Sequence, residues 1–272
     1  MFGSSYKIAS IWGIPIKVHS SLLIVMAIYA LTFGLSGGPG AALQIIVLEI
    51  CIFFSIALHE LGHSFIAIRK GCRVREITLL FIGGAAQMEE MPRKPFDELQ
   101  MAVAGPFVSL VVGFTALYGG AGLTNMGFGF FGPICQTTGG INLFLAGFNL
   151  LPSFPMDGGR VLRAILTPKL GRIRATGIAA RLGKFMAIGF GIWGFHSHHW
   201  ILVAIAFFIY TAAGNEYNMV QMQETARRQG FSFRPPFDWS PGMPPEDVED
   251  QVSIGPPPYD QKRKSRSGIY HD

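Results

Sequence analysis

Two histidines and a glutamate stand in the run His59-Glu60-Leu61-Gly62-His63. On a helix, residues i and i+4 lie about 40° apart, so the two imidazoles converge on one ion. The glutamate between them then sits beside water held by that ion, where a carboxylate serves as a general base. A catalytic zinc site takes about three protein ligands and keeps one position open. Asp157 is the candidate third ligand. It follows a helix broken by Pro152 and Pro155, in Met156-Asp157-Gly158-Gly159-Arg160. Its competing role is to cap a helix beginning near Gly159, since aspartate is a favoured N-cap.

The helix that must carry the histidines is the apolar run from Ala42 to Ile68. Ionisable groups inside a lipid-length segment are expensive to bury and are functional by default. A plainer reading makes the pair helix-end histidines at a membrane surface. Composition supports the lipid setting. The chain has 272 residues, of which 50% are hydrophobic and 14% charged, against about a quarter charged in soluble domains. Its net charge of +5 does not imply nucleic acid, because the basic residues fall in short blocks beside apolar segments and read as orientation signals. Cys51, Cys72 and Cys135 are widely spaced and show no C-x-x-C pairing, so neither a disulfide framework nor a thiolate zinc site is expected. No short apolar leader with a small-residue cleavage site precedes Lys17, so a removable signal peptide is not expected.

In chain order, Met1 to Lys17 reads as an amphipathic interfacial arm, with Pro15 blocking any earlier helix start. Val18 to Leu35 reads as the first membrane helix, and the uncharged turn Ser36 to Gly40 joins it to the histidine helix as a hairpin. Val74 to Ile82 is rich in β-branched residues and bends at Gly83-Gly84 into Ala85 to Glu90, a short hairpin against the membrane. Its competing reading is an ordinary interfacial loop. Gln100 to Tyr118 is the third membrane helix, with Ala104-Gly105-Pro106 giving a kink and a close helix approach. Gly119 to Gly140 reads as a glycine-rich connection, Ile141 to Leu151 as a short fourth helix, and Thr167 to Lys184 as a basic connection. Phe185 to Phe195 and Trp200 to Gly214 complete six membrane helices.

Every lysine and arginine falls in the N-terminal arm, in 69–94, in 160–184 or after Gly214, and none falls in the loops at 36–41, 119–140 and 196–199. The positive-inside rule then puts both chain ends in the cytoplasm and brings His59, His63 and Asp157 towards the same side. Residues 1–214 form the expected membrane domain. From Asn215 a polar helix is expected to about Gln229, followed by a proline-rich, largely disordered cytoplasmic tail whose Lys262, Arg263, Lys264 and Arg266 suit anionic lipid. Glu49 shares a face with Glu60, since eleven residues at about 100° each leave about 20° of net rotation. It either lines an inward cavity or snorkels to the outer interface. His196, His198 and His199 read as an interfacial turn in preference to a second metal site.

These residues resemble the site-2 family of intramembrane zinc metalloproteases, peptidase family M50. His59-Glu60-Leu61-Gly62-His63 matches one family motif, and Asn149-Leu150-Leu151-Pro152 leading to Asp157-Gly158 fits N-x-x-P-x-x-x-x-D-G. The Gly83-Gly84 turn and Ala104-Gly105-Pro106 also look like family features. The likeness covers roughly Ile14 to Gly214 and is closest to the six-helix branch that includes a sporulation protease acting on a sigma-factor precursor. Many members of that branch continue into paired nucleotide-sensing domains, which this chain is not expected to have. The resemblance implies an all-α polytopic fold with a small β-hairpin and one zinc ion held by His59, His63 and Asp157. It implies Glu60 as proton carrier and Asn149 as donor to the developing oxyanion, although Asn149 has a competing role as an interhelical amide tie. It implies a membrane-anchored protein substrate, which an exposed strand of the hairpin accepts by β-addition, and a regulatory membrane protein as partner. The competing function is a non-catalytic metal-binding scaffold of the same fold.

Overall fold

The computed structural model describes residues 4–81, 83–88 and 91–229. Its N-terminal arm corrects the first expectation, because it is a pair of strands. β1 (Ser5–Ile11) and β2 (Ile14–His19) pair antiparallel, and β2 then pairs parallel with β3 (Val74–Leu80), Ile16 facing Ile77 and Val18 facing Leu79. β3 returns antiparallel through β4 (Gly83–Met88), so the sheet order is β1-β2-β3-β4. The expected hairpin is thus half of a four-stranded sheet. The cause lies in alternation: Ile14 and Ile16 point inward to join Ile77 and Leu79 in one buried cluster, the period of two that a strand presents to a core. Ile82, Glu89 and Glu90, at the expected hairpin's margins, lie outside the described residues, as do Met1 to Gly3.

The long apolar run is α1 (Ser20–Arg69), which leaves helical geometry at Gly38, where φ is 78°, just before Pro39. The chain reverses there. A Cβ on Gly34 would lie 3.2 Å from that of Ala42, whereas residues eight apart on a straight helix are separated by about 12 Å. Leu22 accordingly shares a core cluster with Ala57 and Leu61, which is the expected helix hairpin.

α2 (Pro95–Asn125) and α3 (Phe131–Asn149) are both longer than expected, so most of 119–140 is helix. The glycines there serve packing. A Cβ on Gly120 would meet the backbone nitrogen of Gln136 at 2.7 Å, and one on Gly139 would meet that of Leu117 at 2.5 Å. Small residues let helix backbones approach in this way where lipid offers no hydrophobic drive. The basic connection is likewise helical, being the end of α4 (Asp157–Leu170) and the first half of α5 (Arg172–His196). Ala175, Thr176, Ala179, Ala180 and Gly183 form its buried stripe, at the i, i+4 spacing of a packed helix face.

α6 (Trp200–Arg228) runs without a break through Gly214 into the polar stretch expected to be helical. The tail after Gln229, with its basic cluster, lies outside the described residues. The protein is therefore mostly helical with a small sheet. Among the described residues, four of the six helices, α1, α2, α5 and α6, are long and apolar enough to cross a membrane.

Candidate metal centre

His59 and His63 project from the last third of α1, and Asp157 is the first residue of α4, after the turn that ends α3. Side-chain ties fix the depth at which they meet. Asn142 of α3 donates to Ser55 Oγ at 2.9 Å, one helical turn before His59. Gly62 lets α2 approach α1, since a Cβ there would lie 2.9 Å from the carbonyl oxygen of Ala104. Gly158 and Gly159 fold the turn onto itself, and a Cβ on Gly159 would meet the nitrogen of Phe154 at 2.6 Å.

The result is a triangle of electron-pair donors. His59 Nε2 and His63 Nε2 are 3.1 Å apart, and Asp157 Oδ2 is 3.3 Å from the first and 3.1 Å from the second. A tetrahedral zinc with ligands about 2.0 Å away has ligand–ligand edges of about 3.3 Å, so the triangle fits the metal. The far nitrogens are also spoken for. His63 Nδ1 lies 2.7 Å from the carbonyl oxygen of Met101, which only accepts, so Nδ1 carries the proton and Nε2 presents its lone pair. His59 Nδ1 has Ser109 Oγ at 2.9 Å. Three such donors this close repel one another unless a cation lies among them.

Gly105 of α2 closes the site. A Cβ there would fall 2.7 Å from His59 Nε2 and closer still to His63 Nε2. The cradle therefore has room for an ion only because this residue has no side chain. All three donor residues are buried, and among the described residues they form the one group of histidine, cysteine and acidic side chains able to hold a metal. His196, His198 and His199, at the turn between α5 and α6, form no such group.

Asp157 is not a helix cap. The N-cap of α4 is Met156, with no side-chain bond to the helix, and the Asp157 carboxylate turns to the histidines instead. The Arg160 guanidinium lies 3.9 Å from its other oxygen and favours the ionised form that a metal ligand needs. Asp157→Ala is therefore expected to lower zinc affinity by at least about 100-fold, beyond what loss of a ligand's supporting partner costs, while leaving the unfolding midpoint of the metal-free protein nearly unchanged. Zinc titration beside thermal unfolding checks both, and undiminished zinc occupancy would remove Asp157 from the site.

Glu60 stands half-buried next to the triad and outside it. β4 lies over this side chain: a Cβ on Gly84 would come 2.6 Å from Glu60 Cγ and 3.1 Å from Oε1. Asn149 is half-buried at the last turn of α3, with no hydrogen bond to the triad or to Glu60. Glu49 is 8% exposed, and among the described residues its Oε2 has no hydrogen-bond partner, so it points inward and does not snorkel.

Sequence reasoning missed Met101, Gly105 and Ser109 as supports of the histidines. The signal was present in their spacing of four, which puts all three on one face of α2. It also missed a buried ionic cluster below the site. Arg163 of α4 donates to Glu98 of α2 at 2.6 Å and to Glu216 of α6 at 2.8 Å, and Arg172 of α5 reaches Glu98 at 3.3 Å.

Membrane-length helices around a buried two-histidine, one-aspartate triad, with a glutamate beside it, define a membrane metal-site protein of the H-E-x-x-H type. The chain belongs to peptidase family M50, whose model matches residues 47–129 and 125–190. It is 38% identical over 219 residues to a zinc metalloprotease of Methanocaldococcus jannaschii, a match covering 80% of this chain and 62% of that relative. It is 28% identical over 185 residues to the stage IV sporulation protein FB of Bacillus subtilis, covering 66% of this chain and 57% of the relative. The chain thus spans less than two thirds of the length of these curated relatives. The solved site-2 protease from Methanocaldococcus jannaschii superposes with a TM-score of 0.59 at 36% identity, over 79% of this chain and 95% of that one. The family read from the two motifs is the family found.

Proposed function

We propose that this chain is an intramembrane zinc metalloprotease that hydrolyses peptide bonds of membrane-anchored proteins near the cytoplasmic side. The observation that carries the reading is the donor triangle of His59, His63 and Asp157, seated on Gly105 with Glu60 alongside. Zinc, when bound there, supplies Lewis acidity to the scissile carbonyl and to the attacking water. Glu60 takes the proton from that water and delivers it to the leaving amine. The Asn149 amide donates to the carbonyl oxygen as it gains charge, from a side chain that reaches in when substrate is bound.

A peptide bond in a membrane helix is shielded by its own hydrogen bonds, so the substrate must unwind before attack. β4 is an edge strand in the sheet order and lies against Glu60. It accepts the unwound segment as an added strand, which fixes the scissile bond beside the base. In this reading the two arms of α1 with α2, α3, α5 and α6 are six membrane crossings of a cell-membrane protein, and the distribution of lysine and arginine supports cytoplasmic termini. A membrane protein that licenses cleavage completes the reading.

Glu60→Gln in cells tests the function. Because the ligands survive and only the proton carrier is lost, particular single-span membrane proteins should accumulate uncut, at ten-fold or more over wild type. A membrane proteome unchanged by the substitution favours the scaffold reading instead.

A further inference from the structure

The helix that supports the triad has a second working face. Met101, Gly105 and Ser109 of α2 serve the histidines, while Gln100, Val103 and Phe107 turn outward. With Ile66, Arg69 and Lys70 from the end of α1 they line an open groove of about 770 Å³. Its walls are apolar along Ile66, Val103 and Phe107, and Phe107 is exposed. The cations lie only at the end where α1 stops.

Arg69 is held but not neutralised. Its guanidinium lies over the Phe65 ring at 4.3 Å, and Phe65 in turn packs against Trp12 at 5.2 Å. Among the described residues Arg69 has no carboxylate partner and makes no hydrogen bond. Lys70 beside it is paired with Asp97 at 2.7 Å. An oriented guanidinium with its donors free is suited to bidentate capture of a phosphate. An apolar trough running away from it is suited to an acyl chain. α1 and α2 are both of membrane-crossing length, so the groove opens to lipid.

The geometry points to a binding site for an anionic phospholipid between the end of α1 and α2, its phosphate on Arg69 and an acyl chain along Val103 and Phe107. A zwitterionic lipid offers the same chain and phosphate but no net charge to Arg69, while Lys70 stays with Asp97. The site rests on the bundle lying in a bilayer and not on proteolysis.

The test is native mass spectrometry of the full-length, zinc-loaded protein in detergent, offered phosphatidylglycerol or phosphatidylcholine of identical chains. Wild type should retain phosphatidylglycerol at least about five-fold better, the factor one interfacial cation confers. Arg69→Gln should bring the two lipids to parity, and Val103→Trp, which fills the trough, should lower retention of both. Parity in wild type, or an undiminished preference in Arg69→Gln, overturns the proposal. So does displacement of the lipid by glycerol phosphate at equal concentration, which would leave an anion site without a lipid. Zinc content measured on the same samples separates these outcomes from failure of the metal centre, since the groove variants should keep their zinc.

Discussion

Gly105→Ala is expected to strip zinc from an otherwise folded protein. The added Cβ would fall 2.7 Å from His59 Nε2, and nearer to His63 Nε2, at the position where the donor triangle closes. Both imidazoles must rotate out of the way, which also breaks the hydrogen bonds of their Nδ1 atoms to Met101 and Ser109. Loss of the partners that orient a ligand costs about 10- to 100-fold in metal affinity. Here the ligands themselves are displaced, so a loss of at least about 100-fold is expected. Gly122→Ala is the control on the same helix, since nothing lies within 4 Å of its Cβ. It should keep zinc and gain up to about 1 kcal/mol of stability from the helix preference for alanine. Equal zinc content in the two variants would mean that Gly105 does not shape the seat.

Glu98→Ala should destabilise the protein more than any change at the triad. Glu98 is 1% exposed and Arg163 is fully buried, and the carboxylate bonds Arg163 and Arg172 at once. Its removal leaves two guanidinium groups short of a partner inside the junction of α2, α4 and α5. Breaking a buried pair from one side costs about 3–5 kcal/mol, because the remaining charge stays desolvated. Denaturant unfolding in micelles measures this directly. Glu98→Gln, which keeps an acceptor oxygen, should lose less. A loss under about 1 kcal/mol for Glu98→Ala would show the cluster to be wet and weakly coupled.

The centre of the site was legible because metal chemistry constrains residue types at short spacing. His59 and His63 are one turn apart, and the proline-broken end of α3 marks Asp157 as unusual without any knowledge of its partner. The distribution of cations then supplied the common depth. What surrounds the triad was less legible. Met101 acts through its backbone carbonyl and Gly105 through the absence of a side chain, and neither leaves a chemical signature. β2 was read as part of an interfacial arm because six residues of alternation are a weak signal, and its partner β3 begins 55 positions further on. Gly120, Gly132 and Gly139 look locally like loop residues, although in a membrane helix a glycine is as much a packing residue as a breaker. Arg163 and Arg172 look like surface orientation charges, since nothing local reveals that Glu98 and Glu216, on other helices, neutralise them.

The most direct test pairs two readings on one sample: zinc stoichiometry and cleavage of a single-span membrane substrate, for purified wild type and Glu60→Gln reconstituted in lipid. Glu60 lies outside the donor triangle, so both proteins should hold one zinc per chain. Only wild type should cut. Full cleavage by the zinc-loaded Glu60→Gln protein would contradict the account.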